Sequence, residues 1–141
     1  MKFIFLDFDG VMHPVTASEE DRFCHAQLLA ETIGGLECEV RLVISSSLRG
    51  YYSLNELRTL LPKSLRDLIV GITPHFTGRH QRFKEIKAFL KDHPLGTDWR
   101  ALDDDASGFP KGCPQLILCN CNIGLDDWNA GRLRRWIKDR L

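Results

Sequence analysis

The residues best suited to chemistry stand near the start of the chain, in Asp7-Phe8-Asp9-Gly10. Two carboxylates two positions apart at a strand end point to the same side, about 6–7 Å apart at the usual rise per residue. A phosphoryl group fits between them. One oxygen can attack phosphorus while the other carboxyl protonates the leaving alkoxide, a nucleophile paired with a general acid/base. Gly10 then lets the chain turn sharply out of the strand. Asp-x-Asp-Gly also opens calcium loops, but an EF-hand needs Glu at its twelfth position, where this chain has Ser18, and a helix rather than an apolar strand before it.

These acids need elements to position them. Met1 to Leu6, apolar apart from Lys2, is a strand signal of the kind expected of a parallel strand covered on both faces. Further strands are predicted at Val40–Ile44, Leu68–Ile72, Trp99–Leu102 and Gln115–Cys119. Between them, residues 19–33 carry apolar side chains at helical spacing up to Gly34-Gly35, and residues 80–92 do so through Phe83, Ile86, Phe89 and Leu90. Ser53 and Glu56 form a capping box before Leu54, Leu57 and Leu61, and a short segment at 65–68 follows Pro62. Asp126 or Asp127 caps a last helix through Trp128, Leu133, Trp136 and Ile137.

Strands alternating with helices predict an α/β fold: a Rossmann-like three-layer sandwich with a five-stranded parallel sheet. Right-handed crossovers bring the carboxyl ends of all strands to one edge, where open α/β sheets bind ligands. The strands end on Asp7/Asp9, Ser45–Ser47, Thr73 and Asp103–Asp105, all chemically capable groups.

Composition sets the outer bounds. With 141 residues, 43% apolar and 27% charged, the chain reads as one globular domain over residues 1–141, and disordered, collagen-like or coiled-coil classes are excluded. Nineteen basic residues balance nineteen acidic ones, so any attraction to polyanions must come from local segregation of charge. No apolar stretch approaches the roughly 20 residues of a membrane span, and Asp7 and Asp9 cut off the N-terminal run, so a cytoplasmic location is expected. Of five cysteines, Cys113, Cys119 and Cys121 cluster in sequence, but no Cys-x2-Cys pair is present and a zinc site is not expected.

Asp7-Phe8-Asp9-Gly10-Val11 after an apolar strand resembles the first motif of the haloacid-dehalogenase-like (HAD) phosphohydrolase superfamily. The resemblance implies Asp7 as the nucleophile that becomes an aspartyl-phosphate and Asp9 as general acid/base. It implies a phosphoryl-binding hydroxyl in the Ser45–Ser47 run, with Ser46 expected and its neighbour Ser47 alongside; Gly10 joins them at the phosphate. It also implies a basic residue before the fourth strand: Arg82 is the expected one, with Arg79 and Lys84 as alternatives. Magnesium would be held by the Asp7 carboxylate, the Asp9 backbone carbonyl and a carboxylate of Asp103 or Asp104, while Asp105 stays solvated or caps a helix. More narrowly, His13-Pro14, Ser46-Ser47-Leu48-Arg49, Trp99 leading into Leu102-Asp103-Asp104-Asp105, and Gly124-Leu125 resemble the HAD domain of Swiss Army knife RNA repair proteins. Asn120-Cys121 departs from that pattern.

About 30 residues separate Gly10 from Val40 and about 25 separate Ile72 from Trp99, room for single helices but not for the cap domain of larger relatives. A capless site is open. It suits a phosphate presented on a macromolecule better than a small metabolite enclosed by burial. Basic residues at 79–91 and at Arg132, Arg134, Arg135, Lys138 and Arg140 could hold a phosphate backbone, or could simply complement helix dipoles. The expected activity is a magnesium-dependent phosphomonoester hydrolase acting on phosphorylated polynucleotide ends. The alternatives are a nucleotide or small-molecule phosphatase and, in another class, a phospho-acceptor signalling domain or a non-catalytic binding module.

Overall fold

Side-chain alternation along the strands sorts the core into two halves. In β1 (Lys2–Leu6), Ile4 and Leu6 enter one cluster and Phe3 and Phe5 the other, all buried. The computed structural model describes residues 1–94 and 98–139. It continues through α1 (Ala26–Ile33), β2 (Val40–Ile44), α2 (Leu54–Arg58), α3 (Lys63–Arg66), β3 (Ile69–Ile72), α4 (Gln81–Lys91), β4 (Asp98–Asp103), β5 (Leu116–Leu118) and α5 (Asp127–Lys138). The five strands form one parallel sheet in the order β3-β2-β1-β4-β5.

Helices cover both faces, giving the expected three layers. Against Ile4, Leu6, Leu42, Ile44 and Leu102 pack Leu29 and Ile33 of α1, Leu57 of α2, Leu65 of α3, and Leu133 and Ile137 of α5. The other face is aromatic: Phe3, Phe5 and Trp99 meet Ile86 and Phe89 of α4. Phe89 needs room over β3, and Gly71 supplies it, since a Cβ there would lie 2.9 Å from the ring. The capping box at Ser53 is present in both directions, Glu56 N–H to Ser53 Oγ at 3.2 Å and Ser53 N–H to Glu56 Oε1 at 3.0 Å.

The segment 19–33 differs from its sequence pattern. Only Ala26–Ile33 is α-helical, after a 3-10 turn at Glu19–Asp21. Phe23 takes a left-handed backbone (φ 62°) and turns its ring onto Phe8 and His13, at 5.1 and 5.3 Å between centroids. The apolar spacing at Phe23 therefore serves the loop after β1 instead of a longer helix. The last strand is also shorter than predicted, so Cys119 and Cys121 lie beyond it. All five cysteines are free, and burial pushes the Cys119 thiol up to about 12.

The C-terminal end of α5 lies at the amino edge of the sheet, opposite the strands' carboxyl ends. Lys2 at the start of β1 donates to the carbonyls of Trp136, Ile137 and Asp139 at 2.6, 2.9 and 2.6 Å, which puts the end of α5 at the amino edge of the sheet. Arg134 donates to the carbonyls of Thr32 and Gly34 at 2.8 and 3.0 Å and so closes the end of α1. Lys2 and Arg134 thus complete helix ends, while Arg132 donates to Asn129 Oδ1 at 3.2 Å; Arg140 lies outside the described residues.

Phe5 is fully buried, edge-on to Phe89 and Trp99 at 5.8 and 5.7 Å. Phe5→Ala is expected to lower the unfolding free energy by about 3–5 kcal/mol, measured by urea denaturation.

Candidate active site

The ladder of the sheet extends one residue past each strand, and this is what places the polar groups. The N–H of Asp7 donates to Leu102 O (3.1 Å), that of Ser45 to Leu6 O (2.9 Å), that of Thr73 to Ile44 O (3.0 Å) and that of Cys119 to Asp103 O (2.8 Å). Because Leu6 pairs with both Ile44 and Leu102, Asp7 sits between the ends of β2 and β4.

One carboxylate oxygen from each of Asp7, Asp103 and Asp104 lies within 4.8 Å of the others. Asp7 and Asp103 are buried, at 6% and 2% exposure. Burial raises the Asp7 pKa well above 3.8, the neighbouring Asp103 and Asp104 charges raise it further, and Arg82 and the Phe8 N–H oppose them. Asp103 is pushed up to about 6, again chiefly by burial, against the pull of Arg82 and the Asp105 N–H. Three oxygen donors with too little counter-charge are the donor set a hard divalent cation satisfies. Gly10 makes the approach possible: its φ is 77°, and a Cβ there would lie 2.1 Å from Asp104 Oδ2.

Asp9 is arranged differently from Asp7. Since β1 ends at Leu6, both acids belong to the turn beyond it; Asp7 is buried while the Asp9 side chain is 53% exposed. Asp9 Oδ1 lies 2.8 Å from His13 Nε2. The Phe23 N–H donates to His13 Nδ1 at 3.1 Å, so that nitrogen carries the lone pair and Nε2–H is the donor to Asp9. A neutral, buried imidazole thus holds the Asp9 carboxylate.

Arg82 joins the two sides of the site. Its Nε donates to Asp103 Oδ2 at 3.1 Å and its Nη1 donates to the Ser45 carbonyl. Arg79 and Lys84, the other basic candidates, are exposed. Of the three serines, Ser45 and Ser46 are buried and Ser47 is exposed. Ser46 Oγ accepts from the Leu48 N–H at 3.2 Å, which leaves its own O–H free as a donor. Asp105 accepts from Ser107 N–H at 3.0 Å and so caps the 3-10 helix Ala106–Gly108, one of the two roles open to it in the sequence.

Glu85 is the member that the sequence hid. Fully buried on α4, its Oε2 accepts from Arg49 Nη2 at 2.6 Å, Phe76 N–H at 2.9 Å and Gln81 Nε2 at 3.2 Å, with Arg82 Nη1 3.8 Å from Oε1. Arg49 in turn donates to the Ser46 carbonyl at 2.7 Å. Its place one turn after Ser46 and the lone acid among basic residues at 79–91 were the available signals, and neither reveals burial.

The family model for the HAD domain in Swiss Army Knife RNA repair proteins matches residues 3–130. No match emerges among curated proteins or solved structures.

The electrostatic strain has a measurable sign. The neutral form of Asp7 is the one the fold prefers, so its contribution to stability is complete below its ordinary value of 3.8 and is lost as pH rises through the raised folded value. In metal-free buffer at pH 7.5, Asp7→Asn, which keeps the acceptor for Phe8 N–H, is expected to melt several degrees above the unmodified chain. The gap should close as pH falls toward 4; differential scanning calorimetry across pH checks it.

Proposed function

The chain belongs to the family of HAD domains in Swiss Army Knife RNA repair proteins and is a HAD-type phosphohydrolase, and on that premise we propose that it removes phosphate from polynucleotide ends through a magnesium-dependent, covalent mechanism. The observation that carries this reading is the convergence of Asp7, Asp103 and Asp104 beside Arg82 at the carboxyl edge of the sheet.

An Asp7 carboxylate oxygen attacks phosphorus in line with the ester oxygen; the new O–P bond forms as the ester P–O bond breaks. Asp9, entering protonated, gives its proton to the leaving oxygen. The Asp9 carboxylate then takes a proton from water, which attacks phosphorus; the Asp7–phosphorus bond breaks, and inorganic phosphate leaves with Asp7 restored. His13 holds Asp9 Oδ1 through Nε2–H and keeps that carboxyl aimed as it changes charge. The Ser46 hydroxyl and the Arg82 guanidinium bind the transferring oxygens, with Ser47 at the rim and Gly10 giving the backbone its close approach. Magnesium, held by Asp7, Asp103, Asp104 and the Asp9 carbonyl, would supply the charge neutralisation that lets a carboxylate approach a phosphate dianion.

The substrate class rests on openness. Among the described residues each crossover holds only short helices, so nothing large enough to enclose a small metabolite overlies the edge. A phosphate on a chain end can enter such a site with the rest of the chain outside. The domain would act as one unit, in the cytoplasm; among the described residues no helix is long and apolar enough to cross a membrane.

With magnesium, phosphate release from 3′- or 5′-phosphorylated oligonucleotides is expected to exceed that from mononucleotides and phosphopeptides, and chelation should abolish it. Asp7→Asn should abolish turnover. Asp9→Asn should slow it by about 10²–10⁴-fold and leave phosphate on Asp7, detectable by peptide mass spectrometry when the leaving group is a good one. Turnover confined to small sugar phosphates would refute the substrate assignment.

A further inference from the structure

Arg82, whose Nε binds Asp103, also forms one wall of a cavity of about 360 Å³. The other walls include Ser47, Arg49, Tyr51, His75 and Gln81. Among the described residues no acid lines it. Glu85, the counter-charge to Arg49, is fully buried behind it and the Arg49 side chain is itself only 5% exposed, so the cavity wall offers guanidinium, imidazole and hydroxyl groups and no carboxylate atom. Arg49 is pinned by the Ser46 carbonyl and Glu85, and its charge is therefore set in place before any ligand arrives. The His75 Nδ1 lies 3.1 Å from Arg49 Nη2 and 3.5 Å from Glu85 Oε2, and its side chain is 67% exposed, so the imidazole is anchored on one side and open to solvent on the other.

Tyr51 brings one aromatic ring to the cavity. Tyr51 is 82% exposed, and Tyr52 and Phe76 are exposed as well, on the segments that follow β2 and β3. Rings offered to solvent beside fixed cations, next to a phosphoryl site, match the two surfaces of a nucleotide: a flat base and a charged sugar-phosphate. A larger cavity of about 630 Å³ lies toward Arg79 and Lys111, but its aromatic wall, Phe109, is buried, and aliphatic side chains such as Leu116 and Leu118 complete it.

We infer that the cavity between Arg49 and Tyr51 is a nucleotide subsite, in which the base of the phosphorylated terminal nucleotide stacks on Tyr51 while Arg49 and His75 attract the sugar-phosphate. The inference rests on the polynucleotide reading above and adds to it where the chain is gripped and by what contact. A phosphopeptide would gain little from it, since a ring stack needs a flat partner at a fixed distance from the phosphate.

The test compares kcat/KM for a phosphorylated oligonucleotide with that for para-nitrophenyl phosphate, using the full chain with magnesium. In Tyr51→Ala the ratio should fall roughly tenfold, the loss of one base–aromatic stack. Tyr51→Phe, which keeps the ring, should retain the ratio, and a melting curve checks that each variant is folded. With an oligonucleotide whose terminal nucleotide is abasic, the ratio should already be low, and Tyr51→Ala should lower it no further. If the unmodified chain prefers oligonucleotides but Tyr51→Ala does not change the ratio, the subsite is wrong and the substrate class stands. A chain without that preference overturns both, and a Tyr51 effect seen on phosphopeptides but not on oligonucleotides overturns the nucleotide as occupant.

Discussion

Repulsion among carboxylates at the carboxyl edge of the sheet is the constraint around which the rest of the site is arranged. Register forces it: Leu6 pairs with Leu102, so the residues that follow β1 and end β4 must be neighbours, and both are aspartates. The offset comes in a series of alternating charges, Asp103, Arg82, Glu85 and Arg49, that ends on the Ser46 carbonyl. Each guanidinium is held on two sides, which fixes its position in a way a single surface ion pair would not. The buried helix face of α4 thus does for Arg82 what the sheet register does for Asp7.

The parts of this arrangement that depend on short-range pattern were legible in the sequence. Strand ends, the acidic pair at Asp7 and Asp9, the capping box at Ser53 and the helical start at Arg82 are all written within a few residues of themselves. What required the fold was the fate of charges. Glu85 looks like one acid on a solvated basic helix, yet it is buried because Arg49, from a turn distant in sequence, comes to meet it. Arg134 belongs to a basic run that in sequence suits either a phosphate backbone or a helix end, and the end of α1 takes its donors. Phe23 fits a helical repeat, but its ring is wanted by Phe8 and His13, and that demand sets where α1 begins.

His13 illustrates how a backbone donor can dictate side-chain chemistry. The Phe23 N–H occupies one imidazole nitrogen, which leaves the other with a single role toward Asp9. The left-handed turn at Phe23 is therefore tied to the orientation of an acid that lies fourteen residues earlier in the chain. Packing and proton placement are one problem in this loop.

The strand order also governs how such a molecule can assemble. β1 is the middle strand, and the neighbour on its β4 side, Asp98–Asp103, is synthesised long after it. A nascent chain holding β1, β2 and β3 exposes an open hydrogen-bonding edge on β1, the kind of edge that recruits stray strands. During translation that edge stays unprotected until the ribosome has released β4, the same strand that delivers Asp103. Closure of the β1 edge and assembly of the acidic cluster are thus a single late event, and a chain stalled before it would lack the cluster and be prone to self-association.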